Sequence, residues 1–319
     1  MNIEYRSLVD PELLDLAEAF PSLVISAESL AAIREGWRTP PPSDGAMPNS
    51  AADLSIQEVP GPEGAPDVEL HIYRPANESG SSGCIFHIHG GGYIGGNAAS
   101  QEQVHRTMSG ELRCVIATVN YRLAPETCFP GNVEDCYAAL SWLFSHAAEF
   151  GVDSRRIGLM GESAGGGLAA ALALLVRDRG QFELSFQHLI YPMLDDRTCV
   201  STDPHPFTGQ ICWTAQNNHF GWSALLGKTP GVDQVSPYAA AARAETLAGL
   251  PPTFISTGAL DLFLEEDMEY ARRLMRAGVP VELHVYPGAF HGFDMHPTAK
   301  VASAARRDSF AALARFLKT

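Results

Sequence analysis

Ile157-Gly158-Leu159-Met160-Gly161-Glu162-Ser163-Ala164-Gly165-Gly166-Gly167-Leu168 is the stretch whose reading decides the fold. Its first four residues form an apolar run of strand length, and Leu168, Leu172 and Leu175 then repeat at helical spacing. Between the two stands Gly161-Glu162-Ser163-Ala164-Gly165, a G-x-S-x-G pentapeptide. A serine on a tight strand-to-helix turn holds a strained backbone with its hydroxyl exposed, and glycines two residues to either side relieve the crowding. The helix that follows aims its N-terminal dipole at negative charge developing there. Ser163 is thus a candidate nucleophile. The plainer alternative is a Gly-rich turn whose serine only caps the helix.

Outward from this point the pattern alternates. Apolar runs predict strands at Leu54–Val59, Val68–Tyr73, Cys84–Ile88, Val115–Val119, Ile157–Met160, Phe186–Ile190, Thr253–Ser256 and Val281–Tyr286. The first two flank a Pro/Gly-rich loop at 60–66 and read as an antiparallel pair. Helical stripes run through Val133, Tyr137, Leu140, Phe144 and Ala148. Others run through Leu264, Met268, Ala271 and Met275, ended by Gly278 and Pro280, and through Phe310, Leu313 and Leu317. Alternation of this kind implies an α/β fold: a mostly parallel eight-stranded sheet with helices on both faces. Ahead of it, Leu13, Leu16 and Phe20 share one helical face and Leu30, Ile33 and Trp37 another, followed by a linker composition at 39–48. Between about 195 and 235 the alternation lapses into Trp213, Phe220, Trp222 and several His, Pro and Thr, an insertion or lid candidate.

Composition removes several classes of function. The 319 residues carry 22 Lys+Arg against 37 Asp+Glu, a formal charge of −15. So few cations assemble no basic face for a nucleic-acid backbone or an anionic membrane surface. The nearly apolar stretch 165–176 is too short to span a bilayer, and the acidic N-terminus lacks the order of a signal peptide. Six cysteines without a C-x-x-C pair, several in apolar runs, suit a reducing cytoplasm.

Two further motifs bear on chemistry. His89-Gly90-Gly91-Gly92 ends the Cys84–Ile88 strand, where glycines let backbone N–H groups point into a cavity as an oxyanion hole requires. Gly90, Gly92 and Gly95 also fit the dinucleotide pattern G-x-G-x-x-G. However, no clean helix opens there and the next strand ends Asn120-Tyr121-Arg122, without the ribose-binding acid. A serine nucleophile needs a base and an orienting acid. Asp261 follows the Thr253–Ser256 strand and His291 follows Val281–Tyr286, where the ligand-facing loops of a parallel sheet belong. Asp267, inside a helix, and Asp294, close to His291 in sequence, are the weaker acids.

On these residues the chain resembles the hormone-sensitive-lipase-like bacterial carboxylesterases (family IV) of the α/β-hydrolase superfamily. The resemblance rests on His89–Gly92, Tyr121-Arg122-Leu123-Ala124-Pro125-Glu126 with Phe129-Pro130, and the 161–165 pentapeptide. It extends to Tyr191-Pro192-Met193-Leu194-Asp195, Asp261 with Glu266, and His291-Gly292-Phe293, so that it spans about residues 70 to 319. It implies an α/β-hydrolase fold and a Ser163–Asp261–His291 triad, with an oxyanion hole of Gly91, Gly92 and Ala164 N–H groups. The core would be 51–194 and 236–319, with 1–50 and 195–235 forming a helical cap. The activity implied is hydrolysis of short- to medium-chain neutral esters through an acyl-enzyme, without cofactor or metal, in a chain that resembles a family in which dimers are common. Val281–Tyr286 is the candidate edge for such pairing. An amidase or deacetylase using the same triad, or a non-catalytic binding homologue, are the rivals. Glu162 departs from the family's more frequent Asp or Thr, and the Asp261 segment lacks its common Pro and Arg; both blur the substrate class.

The remaining candidates have plainer readings. His87 and His89 lack a third placed metal ligand and read as a core histidine and a loop brace. The same holds for His291, Asp294 and His296, since His291 is better explained as the base. Trp213, Phe220 and Trp222 line an acyl pocket or form the cap's own small core. Arg122 and Glu126 read as loop braces, and Asp195 and Asp196 as a capping or solvated strand end.

Overall fold

The computed structural model describes residues 3–20, 23–38, 52–76 and 81–318, so the 39–48 linker lies outside the described residues. Among the described residues there are eight strands: β1 Ala52–Val59, β2 Val68–Pro75, β3 Ser82–Ile88, β4 Val115–Asn120, β5 Val152–Glu162, β6 Gln187–Ile190, β7 Thr253–Gly258 and β8 Val281–Tyr286. They form one sheet in the order β1-β2-β4-β3-β5-β6-β7-β8. β2 pairs antiparallel with β1 and with β4, and every other pair is parallel. β3 and β7 are buried along their whole length, as apolar runs covered on both faces require.

The helices are α1 Ile3–Arg6, α2 Leu14–Ala19, α3 Leu30–Arg38, α4 Glu102–Leu112, α5 Gly131–His146, α6 Ala164–Arg179, α7 Ala215–Leu226, α8 Leu264–Arg276 and α9 Lys300–Phe316. On one face, Val133 and Leu140 of α5, Leu168 and Leu172 of α6, and Leu274 of α8 pack with Phe86, Val119, Leu159 and Ile255. On the other, Met108 of α4 and Leu313 of α9 pack with Tyr73, Ile85, Ile116 and Met160. The layering follows the alternation of side chains along each strand. Among the described residues, no helix is long and apolar enough to cross a membrane.

Three expectations are corrected. In α8, Met268 and Met275 are exposed, while Asp267, Tyr270, Ala271 and Leu274 are buried. The helix is turned so that the larger Tyr270 faces the sheet, a choice that period counting over Leu264, Met268, Ala271 and Met275 misses. Asp196 is neither solvated nor a simple cap. It is fully buried, takes two Arg243 guanidinium bonds at 2.8 and 2.9 Å and accepts the Gly231 N–H at 2.6 Å. Finally, the first amphipathic helix opens as a 3-10 turn at Pro11–Leu13, with α1 ahead of it. Its buried side chains are Leu13 and Ala17, with Leu16 and Phe20 only partly covered.

The two regions outside the sheet alternation pack near the C-terminal strand ends. Tyr5, Val9, Leu13 and Ala17 cluster with Phe290 and Phe293, next to His291. Leu30 and Ile33 of α3 and Trp222 and Leu225 of α7 join the main core. Asn217 of α7 ties the regions together, accepting the Ile25 N–H at 3.0 Å and donating to the Leu23 carbonyl at 2.9 Å.

Candidate active site

β5 runs straight into Ser163, whose backbone sits at φ +57°, ψ −124°, a region that a side chain rarely adopts. The neighbouring glycines explain how the turn closes. A Cβ on Gly161 would strike the Gly165 carbonyl, and one on Gly165 would strike the carbonyls of Ile88 and His89. The Ser163 N–H donates to the Ile190 carbonyl at 2.9 Å, and its own carbonyl accepts from Gly167 and Met193 at 3.0 and 2.9 Å. The side chain makes no capping bond to α6, against the plainer reading of the pentapeptide. The Ser163 hydroxyl donates instead to His291 Nε2 at 2.9 Å.

His291 Nδ1–H donates to Asp261 Oδ2 at 2.8 Å, completing a Ser–His–Asp chain drawn from the ends of β5, β7 and β8. Asp261 is fully buried, and its second oxygen accepts the Phe263 N–H at 3.0 Å. Gly258 allows the two loops to meet, because a Cβ there would strike the Ala289 carbonyl. Leu260 N–H then reaches that same carbonyl at 2.8 Å. The imidazole is held by Phe263, edge-on at 5.2 Å, and by Tyr191 at 4.6 Å between centroids.

The weaker acids fall elsewhere. Asp294 accepts the Tyr191 hydroxyl at 2.8 Å, and burial raises its carboxyl above the usual range. Asp267 is buried in α8, where burial and the charges of Glu266 and Asp261 push its carboxyl well up. Sequence reasoning did not single out Tyr191 as the residue that backs the histidine. Its left-handed φ of +35° has no sequence signature.

The loop after β3 is built around its carbonyls. His89 Nδ1–H donates to the Gly90 carbonyl at 2.8 Å, and the Gly91 carbonyl accepts from Ile94 and Gly95 at 3.0 Å each. In a trans peptide the next N–H points opposite to the carbonyl, so the Gly91 and Gly92 N–H groups are turned away from those partners. Gly91 at φ +116° and Gly92 at φ +61° require glycine. The loop passes Ser163 closely: a Cβ on Gly90 would come within 3.4 Å of the serine's. Ala164 opens α6, where the first N–H groups have no partner within the helix.

His89 itself is stacked on Tyr121 at 4.3 Å, and burial pushes its imidazole down to about 4, so near neutral pH it carries one N–H for Gly90. Arg122 clasps the buried Asp135 at 2.6 and 2.8 Å, bracing the loop after β4 as expected. His87 Nε2 sits 2.8 Å from Glu162 Oε2, and Gln101 bonds the other oxygen. Burial alone would raise the Glu162 carboxyl, but the His87 charge and the bonds from His87 and Gln101 outweigh it and hold it low. Among the described residues, no three His, Cys, Asp or Glu side chains gather as a metal site.

Of the three aromatics, Trp213 lies on Gly92, where a Cβ would strike its ring, and donates Nε1–H to Asn218 at 3.1 Å. Phe220 is partly buried beside the core. Trp222 is fully buried against Tyr93, its ring 5.2 Å away behind the same loop.

A eight-stranded sheet carrying a Ser–His–Asp chain at its strand ends defines an α/β hydrolase, and residues 85–295 match the family model described as alpha/beta hydrolase fold. The chain is 32% identical over 296 residues to carboxylesterase NlhH of Mycobacterium tuberculosis, covering 90% of this chain and 89% of that one. It is 31% identical to esterase LipI of the same species, over 90% and 88%. The solved structure titled bacterial heroin esterase superposes with a TM-score of 0.90 at 37% identity, covering 98% of this chain and 99% of that one. The chain belongs to the α/β-hydrolase family, in the hormone-sensitive-lipase-like branch of carboxylic ester hydrolases.

Proposed function

We propose that the protein hydrolyses short- to medium-chain neutral carboxylic esters through an acyl-enzyme on Ser163. The observation that carries this reading is the unbroken chain from Ser163 Oγ to His291 Nε2 at 2.9 Å and from His291 Nδ1 to Asp261 at 2.8 Å. His291 accepts the Ser163 proton as Oγ attacks the ester carbonyl, and the buried Asp261 holds the imidazole's tautomer and stabilises its charged form. The N–H groups of Gly91, Gly92 and Ala164 receive the oxyanion. His291 then gives its proton to the departing alkoxide. Water, deprotonated by His291, attacks the acyl-enzyme and releases the acid and free Ser163.

Trp213 and Phe220 bound the acyl side, with Trp222 as the support behind them. The described residues 3–20 and 23–38, together with 195–235, act as the cap over this site. A net charge of −15 disfavours anionic substrates. A second copy pairs through the edge strand β8, and a single-chain mass by light scattering would sink that part alone.

Ser163→Ala tests the catalytic reading: hydrolysis of p-nitrophenyl butyrate is expected to fall by about 10⁴-fold or more, and retained turnover overturns it. Matched ester and anilide substrates decide between an esterase and an amidase. The ester is expected to be the faster.

A further inference from the structure

Arg34 of α3 lies far in sequence from every motif above, yet its guanidinium is spent on the loop that carries Gly91 and Gly92. Its Nε–H donates to the Ile94 carbonyl at 2.6 Å, and Nη2–H to the Ala124 carbonyl at 2.7 Å. Nη1 and Nη2 together clasp Glu126 at 2.7 and 2.8 Å. Ile94 and Ala124 are buried and the arginine side chain is only 19% exposed, so the bonds to the two carbonyls are made largely out of water. Beside it, the Trp37 ring lies on Gly95, where a Cβ would strike it.

Each carbonyl belongs to a turn residue of the same small hydrogen-bond network. Ile94 donates its N–H to the Gly91 carbonyl, and Ala124 donates its N–H to the Tyr93 carbonyl at 3.0 Å. Holding the far side of residues 94 and 124 therefore fixes the peptide that sets the direction of the Gly92 N–H. Catalytic hydrogen bonds of this kind are steep in position: a misplacement of about 1 Å costs on the order of 10²-fold in rate. A planar fork is needed, because one compact ammonium does not reach two carbonyls and a carboxylate at once.

We propose that Arg34 is a positioning residue for the oxyanion hole, anchored by Glu126 and acting through Ile94 and Ala124. The proposal rests on the Ser163 acyl-enzyme reading and adds to it a residue from the N-terminal region. Glu126 suits the anchoring role: it is a largely exposed carboxylate clasped by both Nη groups, and those bonds hold its carboxyl down to about 2, so the pair persists well into acid.

The test compares wild type, Arg34→Ala, Arg34→Lys and Glu126→Gln with p-nitrophenyl butyrate. Rates are taken per active site, counted by labelling Ser163 with a fluorophosphonate. Binding of a trifluoromethyl ketone, which forms a tetrahedral oxyanion adduct on the serine, is measured alongside. Arg34→Ala is expected to lower kcat per labelled site by about 10- to 100-fold with KM within about threefold, the ketone weakening in proportion. Arg34→Lys should recover part of this, and Glu126→Gln should lose about threefold. Glu126→Gln and Arg34→Lys keep the test decisive where Arg34→Ala does not fold. A kcat per site within twofold of wild type in the folded variants overturns the proposal, as does a lower kcat with unchanged ketone affinity. If wild type turns over ester while Ser163 stays unlabelled, the acyl-enzyme reading fails and this one with it. A labelled Ser163 with indifferent Arg34 variants overturns this one alone.

Discussion

Two histidine–carboxylate pairs flank Ser163, each closed at 2.8 Å, and they are built for different ends. His291 holds Asp261 through Nδ1 and the Ser163 hydroxyl through Nε2. His87 holds Glu162, the residue just before the serine, through Nε2, while its buried Nδ1 has no hydrogen-bond partner among the described residues. The first pair sits on loops beyond the strand ends, facing the Ser163 hydroxyl. The second bridges the central strands β3 and β5, packed against His105 at 4.4 Å. An imidazole beside a carboxylate is therefore no reason by itself to propose a catalytic base. What distinguishes His291 is the third partner.

Breaking the first pair should have the largest effect. Asp261→Asn is expected to lower kcat by about 10⁴-fold with little change in fold stability, because the amide favours the wrong imidazole tautomer. Steady-state kinetics beside a thermal melt checks both halves. Breaking the second should do the reverse. His87→Ala leaves the mostly buried Glu162 carboxylate with only its Gln101 bond, which destabilises by about 3 kcal/mol, while kcat per folded molecule stays within about tenfold. Urea unfolding with activity measured on the same samples separates stability from rate.

The buried histidines also give the acid limb a sign. Burial lowers His89 to about 4 and His188 to about 3, from an ordinary 6.5. Between those values and 6.5 the unfolded chain binds more protons than the folded one. Each such group is therefore expected to take about 1.4 kcal/mol per pH unit from stability as pH drops below 6.5. The His89 contribution levels off below about pH 4. NMR titration of the His89 and His188 ring signals from pH 7 to 4 checks this separately from the opposite contribution of the raised Asp267 and Asp294 carboxyls, and a ring that protonates near 6.5 contradicts its neutral burial. The smallest effect is expected at Asp294→Asn. The amide oxygen still accepts the Tyr191 hydroxyl, so kcat should change by less than about threefold, and a loss of 10³ or more would make Asp294 a competitor for Asp261.

The same contrast marks what was legible in the sequence. The elbow, the His89–Gly92 loop and the order Ser163, Asp261, His291 are local patterns, because close backbone approach demands glycine at fixed offsets. Strand runs buried on both faces were equally plain. α4 and α7 escaped notice, since α4 is polar on most of its surface and α7 lies where the sheet alternation lapses. The rotation of α8 toward Asp267 and Tyr270, and the Asp196–Arg243 pair, were hidden because polarity pattern marks acids as surface residues. Glu126 was read as a brace, but its partner Arg34 lies 92 residues away, and only the fold brings them together.

The most direct test is to quench the enzyme in acid while it turns over p-nitrophenyl butyrate and to map the peptides by mass. A butyryl group on Ser163, absent from Ser163→Ala, is the expected result. Sustained hydrolysis with Ser163 unmodified, or with the acyl group carried on another residue, would contradict the account.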